Sequence, residues 1–294
     1  MTTKNLLSGL IISSFLAGVT QGANIRYRQS GDWTQTAPAN TGSGWQNVSS
    51  QPGLADEARI NWGDNTVTVT TSTDTVNRVA IGVDESGTIE VQSGGTLNVF
   101  QDLLAGNNNV LATGTLTVNN GGLVNVGRIL WAGNGESTGF ININAGGVVE
   151  VASHLWWGTT GTATINISGT LNQSGGNLGL GTSNASTASG GAATVFVNSG
   201  GFLNLATWSN TNSIQDGSVL NINGTGTVTV GGNRVSSAND YFALGKIASD
   251  AGGILATYDG DLDRTTIVGI PEPGTVSLLG MVGVLGLLRR RRLR

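Results

Sequence analysis

The sequence predicts an all-β fold: a right-handed single-stranded parallel β-helix with three short strands per coil. Three observations carry that expectation: a repeated pair of strands, a third strand recurring between the pairs, and strict alternation of apolar and polar residues within each. The segments GTIEVQSGGTLNV (Gly87 to Val99), GTLTVNNGGLVNV (Gly114 to Val126), GFININAGGVVEV (Gly139 to Val151) and ATVFVNSGGFLNL (Ala193 to Leu205) each set two alternating strands around a Gly-Gly turn. A degenerate copy, ATINISGTLNQ from Ala163, has a shortened turn, and VLNINGTGTVTV from Val219 closes the series. The equivalent residues Ile89, Leu116, Ile141, Ile165, Val195 and Leu220 recur at about 24 to 30 residues, a period that marks solenoids.

The third strand is read from Val79 to Gly82, Leu103 to Gly106, Leu130 to Gly133, Leu155 to Gly158 and Leu178 to Gly181, which share one pattern. Three strands and three turns make a triangular coil, and at ~4.8 Å per coil six or seven coils give a rod roughly 30 to 35 Å long. Period two then assigns faces. Leu116, Val118, Val124 and Val126 point inward and Thr117 and Asn125 outward, so the interior is dry and aliphatic. Asn98, Asn125, Glu150, Asn172 and Asn204 form an outer row, one per coil. Amides stacked at the coil spacing bond along the rod, which favours a structural role over a binding site. The glycines supply turns and tight corners.

The repeats span 66–250. Residues 24–65 are less periodic, with Trp33 and Trp45, and are expected to form an N-terminal cap, because an open end would recruit other chains. Residues 251–269 are expected to be a C-terminal cap and linker. This repeat type resembles the passenger-like β-helix repeats of exported bacterial proteins, a resemblance that speaks for fold and says little of function.

Composition agrees. The chain has 47 Gly, no Cys and 11% charged residues, and Lys4 and Lys246 are its only lysines. Without cysteine there are no disulfides, so stability must come from packing and hydrogen-bond ladders. Five of the twelve arginines lie in the last six residues. What precedes them is acidic, which argues against nucleic acid or anionic lipid as a partner.

Residues 1–23 read as a secretory signal peptide: Lys4 in a short positive segment, an apolar run from Leu6 to Val19, then Thr20, Gly22 and Ala23. A first membrane helix is the alternative. Residues 270–294 hold Pro271, Glu272 and Pro273, an uncharged run from Val276 to Leu288, and a terminal cluster of Arg289, Arg290, Arg291, Arg292 and Arg294. As a helix that run reaches roughly 20 Å, short of the ~30 Å hydrocarbon core, but arginines held on the cytoplasmic side lengthen it by snorkelling. An ordinary tail anchor is the bland reading. The order of the three parts closely resembles the PEP-CTERM sorting signal of Gram-negative bacteria. The resemblance implies that exosortase, an integral-membrane cysteine peptidase, recognises the tripeptide and removes the tail, with only transient residence in the inner membrane.

The sequence offers little chemistry. His154 is the only histidine, and with no cysteine the triads, thiol nucleophiles and histidine-rich metal sites are excluded. A polysaccharide lyase or glycoside hydrolase on this scaffold is the alternative function, since it needs acids clustered on one face. Glu90 and Glu150 lie two coils apart, Asp102 and Glu136 are on different segments, and no basic residue stands consistently beside them. Asp259, Asp261 and Asp263 weakly match the opening of a calcium loop, but Arg264 replaces its glycine. No cofactor is expected. The stronger lead is aromatic: Leu104, Trp131 and Trp156 face outward on consecutive coils with His154 beside them, a candidate platform for sugar rings of extracellular polysaccharide. A covered stripe, or Trp156 turned inward in place of Trp157, is the structural alternative. The expected function is a non-catalytic, exported protein, sorted by exosortase to the cell surface or extracellular polysaccharide matrix, with a structural or adhesive role.

Overall fold

A computed structural model describes residues 22–37, 43–46, 48–107, 112–182 and 190–271. They form a β-solenoid of about 7 turns, its strands stacked into sheets of 9, 9 and 8 members. The first sheet runs from Asn24–Arg28 through Glu57–Ile60, Arg78–Ile81, Leu103–Asn107, Leu130–Asn134 and Leu155–Trp157 to Leu178–Leu180. The second takes Gly87–Val91, Thr113–Val118, Thr138–Ile143, Thr162–Ile167, Ala192–Val197 and Val219–Ile222. The third takes Thr96–Val99, Leu123–Val126, Val148–Val151, Thr170–Gln173, Phe202–Leu205 and Thr227–Gly231. Pairing between coils along these runs is parallel and keeps register, so Ile89, Leu116, Ile141, Ile165, Val195 and Leu220 form one file, each fully buried.

Alternation decides what lies inside. Val118, Ile143 and Ile167 sit in the core one above another, while Thr117, Asn142 and Asn166 face out. Trp157 also points inward and is fully buried, in register with Ala132, whose small side chain leaves room for the indole. At the corner after each first-sheet strand, Gly82, Gly106, Gly133 and Gly158 have φ of 68, 73, 63 and 63°. A Cβ there would meet the backbone of the second-sheet strand one coil on at 2.5, 2.4, 2.1 and 2.1 Å, so only glycine closes the coil.

Outer amides form ladders along the axis. Asn125 donates to Asn98 at 2.9 Å, Asn172 to Glu150 at 2.8 Å, Asn144 to Asn119 at 2.8 Å, Asn166 to Asn142 at 2.9 Å and Asn134 to Asn107 at 2.8 Å. These ladders cross between coils where the aliphatic core cannot supply direction.

The ends are built differently. Stacking already begins within residues 24–65, where Asn24–Arg28 pairs with Glu57–Ile60 and Gly31–Asp32 with Asn65–Val69. Gly44–Gln46 then folds back antiparallel on Tyr27 and Arg28. Trp45 meets Tyr27 and Trp33 edge-on at 4.8 and 4.7 Å, and its Nε1–H donates to the Trp33 carbonyl at 2.7 Å. Burial, with the Asp32 charge adding, pushes the Tyr27 hydroxyl well above its ordinary pKa. Burial would also raise the Asp32 carboxyl, yet hydrogen bonds from Thr34 and Thr70 hold it below its ordinary value. At the other end, helix Val235–Ala243 buries Ala238 and Tyr241 against Trp208, with Trp208 Nε1–H donating to Ser237 at 3.0 Å. Strands Gly252–Asp259 and Arg264–Pro271, over the stretch expected to be a C-terminal cap and linker, form a hairpin whose second strand pairs antiparallel with Thr227–Gly231.

The expected signal helix and the apolar helix of the tail fall on residues outside those described. Among the described residues no helix is long and apolar enough to cross a membrane.

Candidate functional site

Trp131 and Trp156 lie in register on adjacent first-sheet strands, both half-buried and outside the central core. Their rings meet edge to face, centroids 4.7 Å apart at 77°, and His154 stacks on Trp156 at 4.7 Å and 25°. His154 Nδ1 accepts the Asn177 backbone N–H at 3.0 Å, which fixes the imidazole over the indole. A side chain at Gly179, next in the file, would press on Trp156 at 3.2 Å, so glycine there lets the indole lie down. The three rings therefore spend much of their area on one another and do not present a coplanar surface. Leu104 needs correcting. It shares the outward position of Trp131, but it is 1% exposed and offers nothing to a sugar.

The carboxylates are drawn into structural pairs. Glu57 is held by Arg59 at 2.6 Å and Arg78 at 3.0 Å, and Arg128 grips Asp102 with both Nε and Nη2. Of the four acids singled out in the sequence, Asp102 thus has a basic partner, 26 residues away and one coil on. The hydrogen bond to Asp102 raises the Arg128 pKa against the opposing effect of burial. Both pairs line one groove of about 530 Å³. Glu90 and Glu150 belong to different sheets, so they do not face each other across any cleft.

Asp259, Asp261 and Asp263 sit at the hairpin turn. Asp259 accepts the backbone N–H groups of Asp261 and Leu262 at 2.9 and 3.2 Å, and Asp263 accepts the Tyr258 hydroxyl at 2.8 Å. Asp263 has φ 47°, as tight turns need. These contacts make a turn, and no group of three or more acidic or histidine side chains among the described residues is arranged to hold a metal ion.

The hairpin's second strand ends on Pro271, the first residue of the Pro-Glu-Pro tripeptide. Glu272, Pro273 and the arginines from Arg289 to Arg294 lie outside the described residues. Comparison with protein families matches residues 269–292 to the PEP-CTERM protein-sorting motif. No curated protein and no solved structure matches the chain. The chain thus carries the signal of an exosortase substrate, which implies export, processing by exosortase and sorting to the cell envelope or surface.

Proposed function

We propose that this protein is a non-catalytic rod of the cell surface or extracellular polysaccharide matrix, whose role is structural and adhesive. The observation that carries this reading is the junction at Pro271: the sorting motif begins on the last strand of the solenoid, so what the signal delivers is the rod itself. A stiff stack with repeated polar rows suits contact with glycans or neighbouring molecules. The residues that read the partner are sought on the outer faces, Trp131 and Trp156 among them.

Two experiments test it. Glu272→Ala, or removal of residues 289–294, should leave an unprocessed form retained in the membrane fraction; normal processing and release of both variants would remove exosortase from the account. Plant, algal and bacterial polysaccharides incubated with the protein should give no new reducing ends and no unsaturated products. Turnover that vanishes on changing one acidic residue would replace the structural reading by a lyase or hydrolase.

A further inference from the structure

The outer row of the third sheet is broken at one step. Thr229 donates to Asn204 at 2.8 Å, Asn204 to Asn172 at 2.5 Å and Asn172 to Glu150 Oε1 at 2.8 Å. The row resumes with Asn125 donating to Asn98 at 2.9 Å, and Asn98 to the Thr73 carbonyl at 3.0 Å. Asn125 and Glu150 are register partners on adjacent coils, yet no bond joins them. Asn125 gives its amide N–H to Asn98, and the carboxylate opposite it has no proton to give, so the bond that links the other steps of this row is not made here.

A groove of about 450 Å³ opens beside this step, lined by Asn125, Glu150 and Phe100. Two residues beyond each polar residue, on the same outward face, come Phe100, Gly127 and Ala152. The drop from a ring to a hydrogen to a methyl hollows the corner. Gly127 cannot be larger, since a Cβ would fall 2.0 Å from the Phe100 carbonyl oxygen. The Phe100 ring is 56% exposed and packs on none of the aromatic clusters.

We infer that this groove binds one ring of a neutral hexose polymer, with two sugar hydroxyls donating to Asn125 Oδ1 and Glu150 Oε2 and the apolar ring face lying on Phe100. A sugar hydroxyl is a donor, which the broken row lacks, and a pyranose has an apolar face that suits an exposed phenyl ring. The groove volume lies in the range of small-ligand sites. An acidic sugar is excluded by the Glu150 charge. This site is separate from the tryptophan stripe, which belongs to the first sheet, and it deepens the adhesive reading on which it rests.

The test uses the full chain in mild detergent, titrated with β-1,4-linked glucohexaose and mannohexaose, and with hexagalacturonate as the acidic contrast. Glu150→Gln supplies the missing donor, closes the row from Asn172 to Asn125, and should weaken neutral hexaose binding about tenfold while keeping or raising the melting temperature. Phe100→Ala should weaken it by a similar factor with little change in melting. Unchanged affinity in both Glu150→Gln and Phe100→Ala overturns the inference, as does tighter binding of hexagalacturonate. If the native protein binds whole matrix polysaccharide but neither hexaose, the groove is refuted and the adhesive reading stands; if it binds none, both fall. Calcium chloride that raises the melting temperature of the native protein but not of Glu150→Gln, without hexaose binding, would make this a cation site and overturn the sugar.

Discussion

The middle of the rod and its two ends are stabilised by different means. Between Gly87 and Leu205 the strands have a parallel neighbour on both sides, except Thr96–Val99 and Leu178–Leu180 at the ends of their sheets, and the core is a set of aliphatic files that could be lengthened without new chemistry. The end coils have a parallel coil on one side only. There the chain turns to large aromatic residues, Tyr27, Trp33 and Trp45 at one end and Trp208 and Tyr241 at the other, and all of them but Trp33 have their side-chain polar atom hydrogen-bonded. Repetition stabilises a coil by its neighbours; where a neighbour is missing, specific packing substitutes for it.

The largest expected effect breaks the middle. Val118 lies between Val91 and Ile143 in the core, so Val118→Asp buries a carboxylate with no partner and should cost roughly 4 kcal/mol or more. Because coils on both sides lose packing, thermal melting should fall for the whole rod; a native-like melt would show the file is not where the register puts it. Trp45→Ala, at about 3 to 5 kcal/mol, should act locally. Amide exchange should rise from Asn24 to Val69 and stay slow in the central coils; faster exchange everywhere would erase the distinction between end and middle. The smallest effect is on acid stability. Asp32 has a lowered pKa in the folded state, so its stabilising share is complete above the unfolded value of about 3.8 and fades as pH falls below it. Asp32→Asn should remove that acid-limb loss at the N-terminal end, and an identical acid melt in both proteins would show that the carboxylate contributes nothing.

The central coils were legible because one cause, burial on alternate positions, sets both the sequence pattern and the structure. Ile89 to Leu220 could be read as one file for that reason. Leu104 marks the limit: alternation tells which way a side chain points and says nothing of what lies over it. The Asp102–Arg128 pair was missed because it joins corners, where coil lengths vary and no period fixes the register. Helix Val235–Ala243 left no trace either, since its Ser, Asn and Asp residues favour turns and it has no side-chain N-cap. Packing of Ala238 and Tyr241 decides it. In the outer row, the sequence showed which residues align. It could not show amide direction, and so could not reveal the break between Asn125 and Glu150.

That direction is shared. Among the described residues, the axial amide bonds of Asn119, Asn125, Asn134, Asn144, Asn166, Asn172, Asn198, Asn204 and Asn223 all have the donor on the later coil and the acceptor on the earlier one. In these rows a stack growing from its N-terminal end therefore shows amide oxygens at its unfinished face, and except where Glu150 meets Asn125 the next coil arrives with the N–H groups to meet them. The template and the incoming piece are complementary, as with the two ends of a helix. Two unfinished stacks brought face to face would oppose oxygen to oxygen. A chain that emerges N-terminus first is thus guided onto itself and turned away from its siblings by the same row of amides.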